Sequence, residues 1–227
     1  MPTVRYVWGM RRYADRVEAG RVLAREVAAR SFPAPVVLGL PRGGVVVAAE
    51  VAAALDAPLD VLVVRKLGVP WHPELGMGAI AERGVMLLND EVVRATGVRP
   101  QDVEQVRRRE DAELRRRAEV YREGGPPRDL TGAVAILVDD GLATGFTARA
   151  AIESARRGGA AQVVLAVPVG AADTVRSLSR VADEVICPST PRDFLAVGAW
   201  YDDFRQVSDA EVVALLRSSS ELRSGGS

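Results

Sequence analysis

The 227-residue chain contains one cysteine, one histidine and, among thirty basic residues, one lysine. A lone cysteine, Cys187, excludes an intrachain disulfide and any cysteine-built metal site. It reads instead as a small buried hydrophobe near a strand end. A lone histidine, His72, argues against a Ser-His-Asp triad and against a histidine-built metal centre. No G-x-S-x-G nucleophile elbow is present either. An excess of one charge sign is also missing. Lys plus Arg and Asp plus Glu both come to 30, so no global field draws nucleic acid or a membrane surface. No stretch reaches eighteen uninterrupted apolar residues, the length a membrane helix needs. The start, Met1-Pro-Thr-Val-Arg-Tyr, has no signal-peptide form, so a cytoplasmic location is expected. There is no internal repeat.

The apolar content, 48%, is that of a globular chain with a sizeable core. The length suits a single domain over 1–227. Apolar runs alternate with helical patterns. Arg11 to Arg30 has the apolar stripe of a helix, its charged face solvated, ended by Ser31-Phe-Pro-Ala-Pro35. Val36 to Leu40, Leu59 to Val64, Ala133 to Val138, Ala161 to Pro168 and Ala182 to Cys187 read as buried strands. Helices are predicted over Val45–Leu55, Gln101–Glu123, Phe146–Arg157, Ala171–Leu178 and, capped by Ser208, Asp209–Leu216. The tail from Arg217 is polar and reads as frayed. This alternation predicts an α/β fold: a mostly parallel central sheet with helices on both faces.

Everything else is organised around Ala133 to Thr147. Ala133 to Val138 is unbroken apolar, as in a strand buried on both faces. Two carboxylates, Asp139 and Asp140, stand where the strand ends, and the small-residue turn Gly141-Leu-Ala-Thr-Gly145 leads into the helix from Phe146. A helix N-terminus leaves amides unpaired and carries partial positive charge, so it binds phosphate. Gly141 and Gly145 let the backbone come close to an anion, and Thr144 and Thr147 add hydroxyl donors. Each hydrogen bond to a charged group contributes roughly 1.5–3 kcal/mol, so three or four anchor a phosphate. Ionised aspartates accept hydrogen bonds only. They suit vicinal sugar hydroxyls beside the phosphate, and they favour positive charge growing on a sugar ring. The turn lacks the Gly-Lys-Ser/Thr ending of a P-loop, and no G-x-G-x-x-G follows a strand.

Val138-Asp-Asp-Gly-Leu-Ala-Thr-Gly-Phe-Thr147 closely resembles the phosphoribosyl pyrophosphate (PRPP) loop of type I phosphoribosyltransferases. The resemblance implies that fold, with a small C-terminal hood at about 188–207 and a flexible flap at about 67–84. It implies that Ala143, Thr144, Gly145, Phe146 and Thr147 hold the 5-phosphate and that Asp139 and Asp140 meet the ribose hydroxyls. Pro41-Arg-Gly-Gly44 takes the place of the pyrophosphate loop, with Arg42, Gly43 and Gly44 binding through backbone amides and a cis peptide before Arg42. The implied reaction is transfer of the phosphoribosyl group to a nitrogen base, with Mg²⁺ carried on the pyrophosphate and no direct protein ligand. A homodimer and a role in nucleotide metabolism are further family expectations. Some members instead sense PRPP or nucleotides without catalysis, and that alternative stays open.

Several residues carry two readings. Lys66, at the end of the Leu59–Val64 strand, either reaches pyrophosphate oxygens or is an exposed strand-end lysine. Gly68 to Gly84 reads as a long Gly/Pro-rich loop running into Val85-Met-Leu-Leu-Asn89. His72 within it is either a flap acid or base or a hydrogen-bonded loop residue. Three of the eleven aromatics fall at 200–204. Phe194, Trp200 and Tyr201 are the candidates to stack a base, or else they pack the hood onto the sheet. The Gln101–Glu123 helix interleaves arginines with acids, with Arg107/Asp111, Arg109/Glu113 and Glu113/Arg117 at i,i+4 spacing. It reads as a solvated face, not a nucleic-acid stripe. The base itself is not readable from sequence.

Overall fold

The structure, a computed structural model, describes residues 5–7 and 10–224. A short hairpin, β1 (Arg5–Val7) and β2 (Met10–Arg12), precedes helix α1 (Arg16–Ala28). Strand β3 (Pro35–Gly39) and helix α2 (Gly43–Leu55) follow, then β4 (Leu59–Val61). Strands β5 (Val64–Val69), β6 (His72–Ala81) and β7 (Val85–Leu88) form a second, antiparallel sheet. Helices α3 (Asp90–Thr96) and α4 (Pro100–Arg122) lead to β8 (Val134–Val138) and α5 (Phe146–Arg157). The chain closes with β9 (Gln162–Ala166), α6 (Ala172–Leu178), β10 (Glu184–Ile186), a 3-10 turn at Val197–Trp200 and α7 (Asp209–Ser224).

The central sheet is parallel throughout, in the order β10-β9-β8-β3-β4. Its strands read as unbroken apolar runs because alternate side chains enter different cores. Val36, Leu38, Ala135, Leu137, Val163 and Leu165 pack against Ala148, Ala151, Ile152 and Ala155 of α5. Val37, Val134, Ile136, Val138 and Val164 pack on the other face, against Leu23 and Val27 of α1 and Val47, Ala48 and Val51 of α2. The strand order reverses between β3 and β8. Gly39 and Val138 are register partners there. The turns after these two strands therefore emerge side by side, at the place where open α/β sheets bind ligands.

Four expectations need correction. The predicted Arg11–Arg30 helix begins only at Arg16. Asp15 caps it, accepting from Glu18 N at 2.8 Å, and Tyr13 and Ala14 are drawn into backbone hydrogen bonds with residues 200–203. The predicted Leu59–Val64 strand is two strands in different sheets, with β5 leaving at Val64. The predicted Gly68–Gly84 loop is mostly the β5–β6 hairpin. Its glycines serve close strand approach. A Cβ on Gly68 would lie 2.3 Å from the Pro73 carbonyl oxygen, and one on Gly78 would lie 2.2 Å from that of Leu87. The last helix runs on to Ser224, past the predicted end at Leu216, with Leu215 and Leu216 packed and Arg217 paired to Glu123.

Helix α4 is not solvated all round. It buries Val103, Val106, Leu114 and Tyr121, and at its end Arg122 is locked between Glu82 (Nη1–Oε1, 2.6 Å) and Asp60 (Nε–Oδ1, 3.0 Å). Of the three expected i,i+4 pairs only Glu113/Arg117 forms, at 2.7 Å. Arg107 turns back to Glu104, and Arg109 to Glu110. No helix among the described residues is long and apolar enough to cross a membrane.

Candidate functional site

The turn after β8 is fixed at three points. Leu142 N donates to the Val169 carbonyl at 2.9 Å, and Ala171 N donates to the Leu142 carbonyl at 2.9 Å. Thr174 Oγ1 donates to the Ala143 carbonyl at 2.6 Å. Gly145 caps α5 with φ 78°, a conformation that a side chain disfavours, and a Cβ there would lie 2.7 Å from Thr174 Cγ2. No described residue accepts from the amides of Ala143, Thr144, Gly145, Phe146, Thr147 or Ala148. These amides and the N-terminal end of α5 form a cradle for an anion. Ala143 and Thr144 are exposed, and Phe146 and Thr147 are half-buried. A cleft of about 360 Å³ opens along this turn, lined by Thr144, Gly145, Phe146, Arg149, Thr174 and Ser177. A larger cleft, about 560 Å³, lies at the amino end of β4 beside Asp60, Tyr121, Arg128 and Leu216, away from this chemistry.

The turn after β3 abuts the acid pair. The Pro41–Arg42 peptide bond is cis. A Cβ on Gly43 would lie 2.0 Å from Asp140 Oδ2, and one on Gly44 would lie 2.7 Å from the Val138 carbonyl oxygen and 3.0 Å from Asp139 Oδ1. Glycine at both positions is therefore a condition for the two turns to touch. The Arg42 guanidinium points away from the turn, with Nη1 3.7 Å from Asp209 Oδ1 at the start of α7.

The two aspartates are not both open. Asp139 Oδ1 accepts from the Asp140 amide at 2.8 Å. Asp140 Oδ2 accepts from Arg16 Nε at 2.7 Å, and the Asp140 carbonyl accepts from the Tyr201 hydroxyl. Burial and the neighbouring Asp140 charge push the Asp139 carboxyl well above the usual carboxylate range. Burial also raises Asp140, against the lowering pull of Arg16. The expected pair of open acids is corrected: Asp140 is held by an arginine, and the Asp139 carboxyl beside it is buried and raised. The two carboxyl groups also hydrogen-bond each other, which lowers Asp140 and raises Asp139.

Lys66 is not at the end of a sheet strand. It lies within β5, where Nζ donates to the Glu74 carbonyl at 3.0 Å and sits 3.6 Å from Glu74 Oε2. His72 is exposed at the start of β6 and makes no side-chain hydrogen bond among the described residues. Trp200 and Tyr201, candidates to stack a base, are buried in a cluster with Tyr13, Ala19 and Val169. Tyr201 is 1% exposed, its ring 5.6 Å from Tyr13 and 5.0 Å from Phe204. Packing the hood is what these two rings do here, and Phe194 is half-buried against the same cluster.

The hood is sewn from two distant segments. Tyr13 N donates to the Trp200 carbonyl at 2.9 Å, and the amides of Asp202 and Asp203 donate to the carbonyls of Tyr13 and Ala14, each at 2.8 Å. Sequence reasoning missed Arg16, whose guanidinium lies 3.9 Å from the Phe204 ring centroid. One signal was present. Arg16 occupies the apolar stripe that continues through Ala19, Gly20, Leu23 and Val27, where a charge needs a partner.

The described residues contain no group of three or more His, Cys, Asp or Glu side chains able to hold a metal. Two carboxylates are too few to hold a metal by themselves, so a Mg²⁺ ion would have to be held mainly by a bound diphosphate and water.

Comparison with known proteins agrees with this geometry. A model of the phosphoribosyl transferase domain matches residues 79–202. Proteins of two Mycobacterium tuberculosis strains, each named "Putative phosphoribosyl transferase", are 56% identical over 207 residues, which is 91% of this chain and 47% of theirs. The chain thus spans about half the length of the curated relatives it matches. The crystal structure of TT1426 from Thermus thermophilus is 44% identical, covers 91% of this chain and 98% of its own, and superposes with a TM-score of 0.77. The domain match takes in the acid pair, the small-residue turn and α5, while the Pro41–Gly44 turn and Arg16 lie before it; the chain belongs to the phosphoribosyl transferase domain family.

Proposed function

We propose that this chain transfers the 5-phosphoribosyl group of PRPP to a nitrogen base and releases pyrophosphate. One observation carries the reading: six consecutive amides, Ala143 to Ala148, lack acceptors at the N-terminus of α5, directly beyond two aspartates. The 5-phosphate binds in that cradle. The ribose hydroxyls donate to Asp139 and Asp140. The diphosphate lies over the amides of Arg42, Gly43 and Gly44, which share a boundary with the acid pair.

The base nitrogen forms a bond to C1 of the ribose as the C1–oxygen bond breaks. Its electron pair leaves with pyrophosphate, and the proton lost by the nitrogen goes to solvent or to the leaving group. Positive charge builds on the ring in between, and the adjacent carboxylates favour it. The chain's contribution is positioning and charge placement. The diphosphate would carry Mg²⁺, which would neutralise part of its charge. Lys66 and His72 lie in the hairpin that the family resemblance assigns to the flap. Lys66 can serve the diphosphate only after leaving Glu74.

A second reading has one observation in its favour. The Arg16–Asp140 pair ties up one acid, as suits a protein that binds PRPP or a nucleotide and reports it without turnover. A panel of purine, pyrimidine and pyridine bases with PRPP and magnesium, assayed for base-dependent pyrophosphate release, separates the two. Release with at least one base supports transfer. Binding of PRPP with no release in any mixture supports sensing, and absence of PRPP binding sinks both.

A further inference from the structure

Lys66, the cation expected to reach the diphosphate, is engaged with Glu74, and the Arg42 guanidinium lies beside Asp209. The cation that the fold places where the two turns meet is Arg16, supplied by the first turn of α1. Its guanidinium makes three contacts, on two segments far apart in sequence. Nε donates to Asp140 Oδ2 at 2.7 Å, Nη1 donates to the Arg205 carbonyl at 2.9 Å, and the group lies 3.9 Å from the Phe204 ring centroid. A Cβ on Gly43 would lie 2.6 Å from Arg16 Nε, so the guanidinium is packed against the Pro41–Gly44 turn as well. The Arg16 side chain is 10% exposed and that of Asp140 is 16% exposed. Packing alone does not call for a charge there, because desolvation offsets the attraction of a buried ion pair and apolar residues of equal volume hold as well. What a planar, multi-donor guanidinium supplies is direction.

We propose that Arg16 is a positioning residue that fixes the Asp140 carboxylate against the Pro41–Gly44 turn and registers it to the hood through Phe204 and the Arg205 carbonyl. Hood and acid pair then move as one body. The tie is a property of the ligand-free chain. Its consequence for turnover rests on the transfer reading above.

Hydrogen exchange on the full-length, ligand-free chain tests the tie. Arg16→Ala is compared with Arg21→Ala, which removes an exposed arginine of the same helix paired with Glu50. In Arg16→Ala the amides of residues 140–142 and 201–205 exchange at least about tenfold faster, while α5 and the central sheet keep wild-type protection. In Arg21→Ala all of them keep it. Free guanidinium ion at low millimolar concentration restores protection in Arg16→Ala, and tetramethylammonium does not. Loosening of only one of the two segments, or of neither, overturns the proposal, as does equal rescue by both ions. Should Arg16→Ala not fold, Arg16→Lys serves, since one ammonium cannot reproduce the fork to Asp140 and Arg205. Its two segments are then expected to loosen together.

Turnover supplies a second arm. With PRPP and an accepted base, kcat of Arg16→Ala falls about 100-fold while KM for PRPP changes less than about threefold, and guanidinium rescues kcat. A raised KM with unchanged kcat overturns the positioning role. If the wild-type chain neither binds PRPP nor releases pyrophosphate, the transfer reading falls, and hydrogen exchange alone still decides the tie.

Discussion

Leu40 donates its amide to the Val138 carbonyl at 2.8 Å, one residue beyond the end of β3 and at the last residue of β8. That bond holds the Pro41–Gly44 and Asp139–Gly145 turns at a fixed separation, with glycine at their contact. A sugar phosphorylated at both ends needs such a pair of anion sites, one for each end of the molecule.

The acid pair should decide PRPP affinity. Asp139→Asn with Asp140→Asn removes the charge and one acceptor oxygen from each side chain that meets the ribose hydroxyls. Each lost hydrogen bond to a charged group is worth roughly 1.5–3 kcal/mol, so binding should weaken by more than about tenfold. Calorimetric titration with PRPP and magnesium checks this, and unchanged affinity would remove the ribose from this pair.

The same acids set a pH dependence of stability. The Asp139 pKa is raised in the folded chain, so the folded state holds that proton more tightly than the unfolded state. Its contribution is full below the unfolded carboxylate value, about 3.9, and is lost as pH rises through the folded value. Glu113 works in the opposite sense. Hydrogen bonds from Arg116 and Arg117 hold it at about 2, so its small contribution is lost as pH falls. Urea midpoints of wild type and Asp139→Asn from about pH 5 upward isolate the first effect. The wild type should lose stability relative to the variant as pH rises, and parallel curves would contradict the raised value.

Arg122 should matter far more to stability than the arginines on the outside of α4. Arg122→Met leaves Asp60 and Glu82 buried without their cation, a change that costs about 3–5 kcal/mol. Arg108→Ala, at an exposed pair with Glu104, should cost about 1 kcal/mol or less. Chemical denaturation of both variants measures the contrast.

Gly145→Ala tests the cap of α5. The left-handed backbone alone costs about 1–2 kcal/mol for a side chain, and the new Cβ meets Thr174 Cγ2 as well. Adding Thr174→Ser removes that methyl while keeping the hydroxyl that donates to Ala143. The double variant should therefore recover part of the loss, read as a thermal midpoint between those of wild type and Gly145→Ala.

The sheet, the helices beside it and the turn between Val138 and Phe146 were legible because their signals are local. Ala133 to Val138 is apolar without a break since each face has its own core, and Gly145 sits where a cap needs a positive φ. The β5–β6 hairpin was not legible. Gly68 and Gly78 look like loop residues, yet each is required by a carbonyl from the neighbouring strand. The state of the acids was hidden for a different reason. Arg16 and Asp140 are 124 residues apart, and only the folded hood brings them together. Trp200 and Tyr201 showed a cluster of rings in the sequence, but which rings face outward is decided by Tyr13, Ala19 and Val169, from other parts of the chain.

The backbone bonding of residues 13–14 to 200–203 has a consequence for biosynthesis. A ribosome has released the phosphate turn and α5 long before residue 203 emerges, so the sheet around them can condense first. The cap over the two turns closes only once residues 200–205 are available. A nascent chain stalled short of that point should already offer an anion its amides while leaving Arg16 with nothing to stack on.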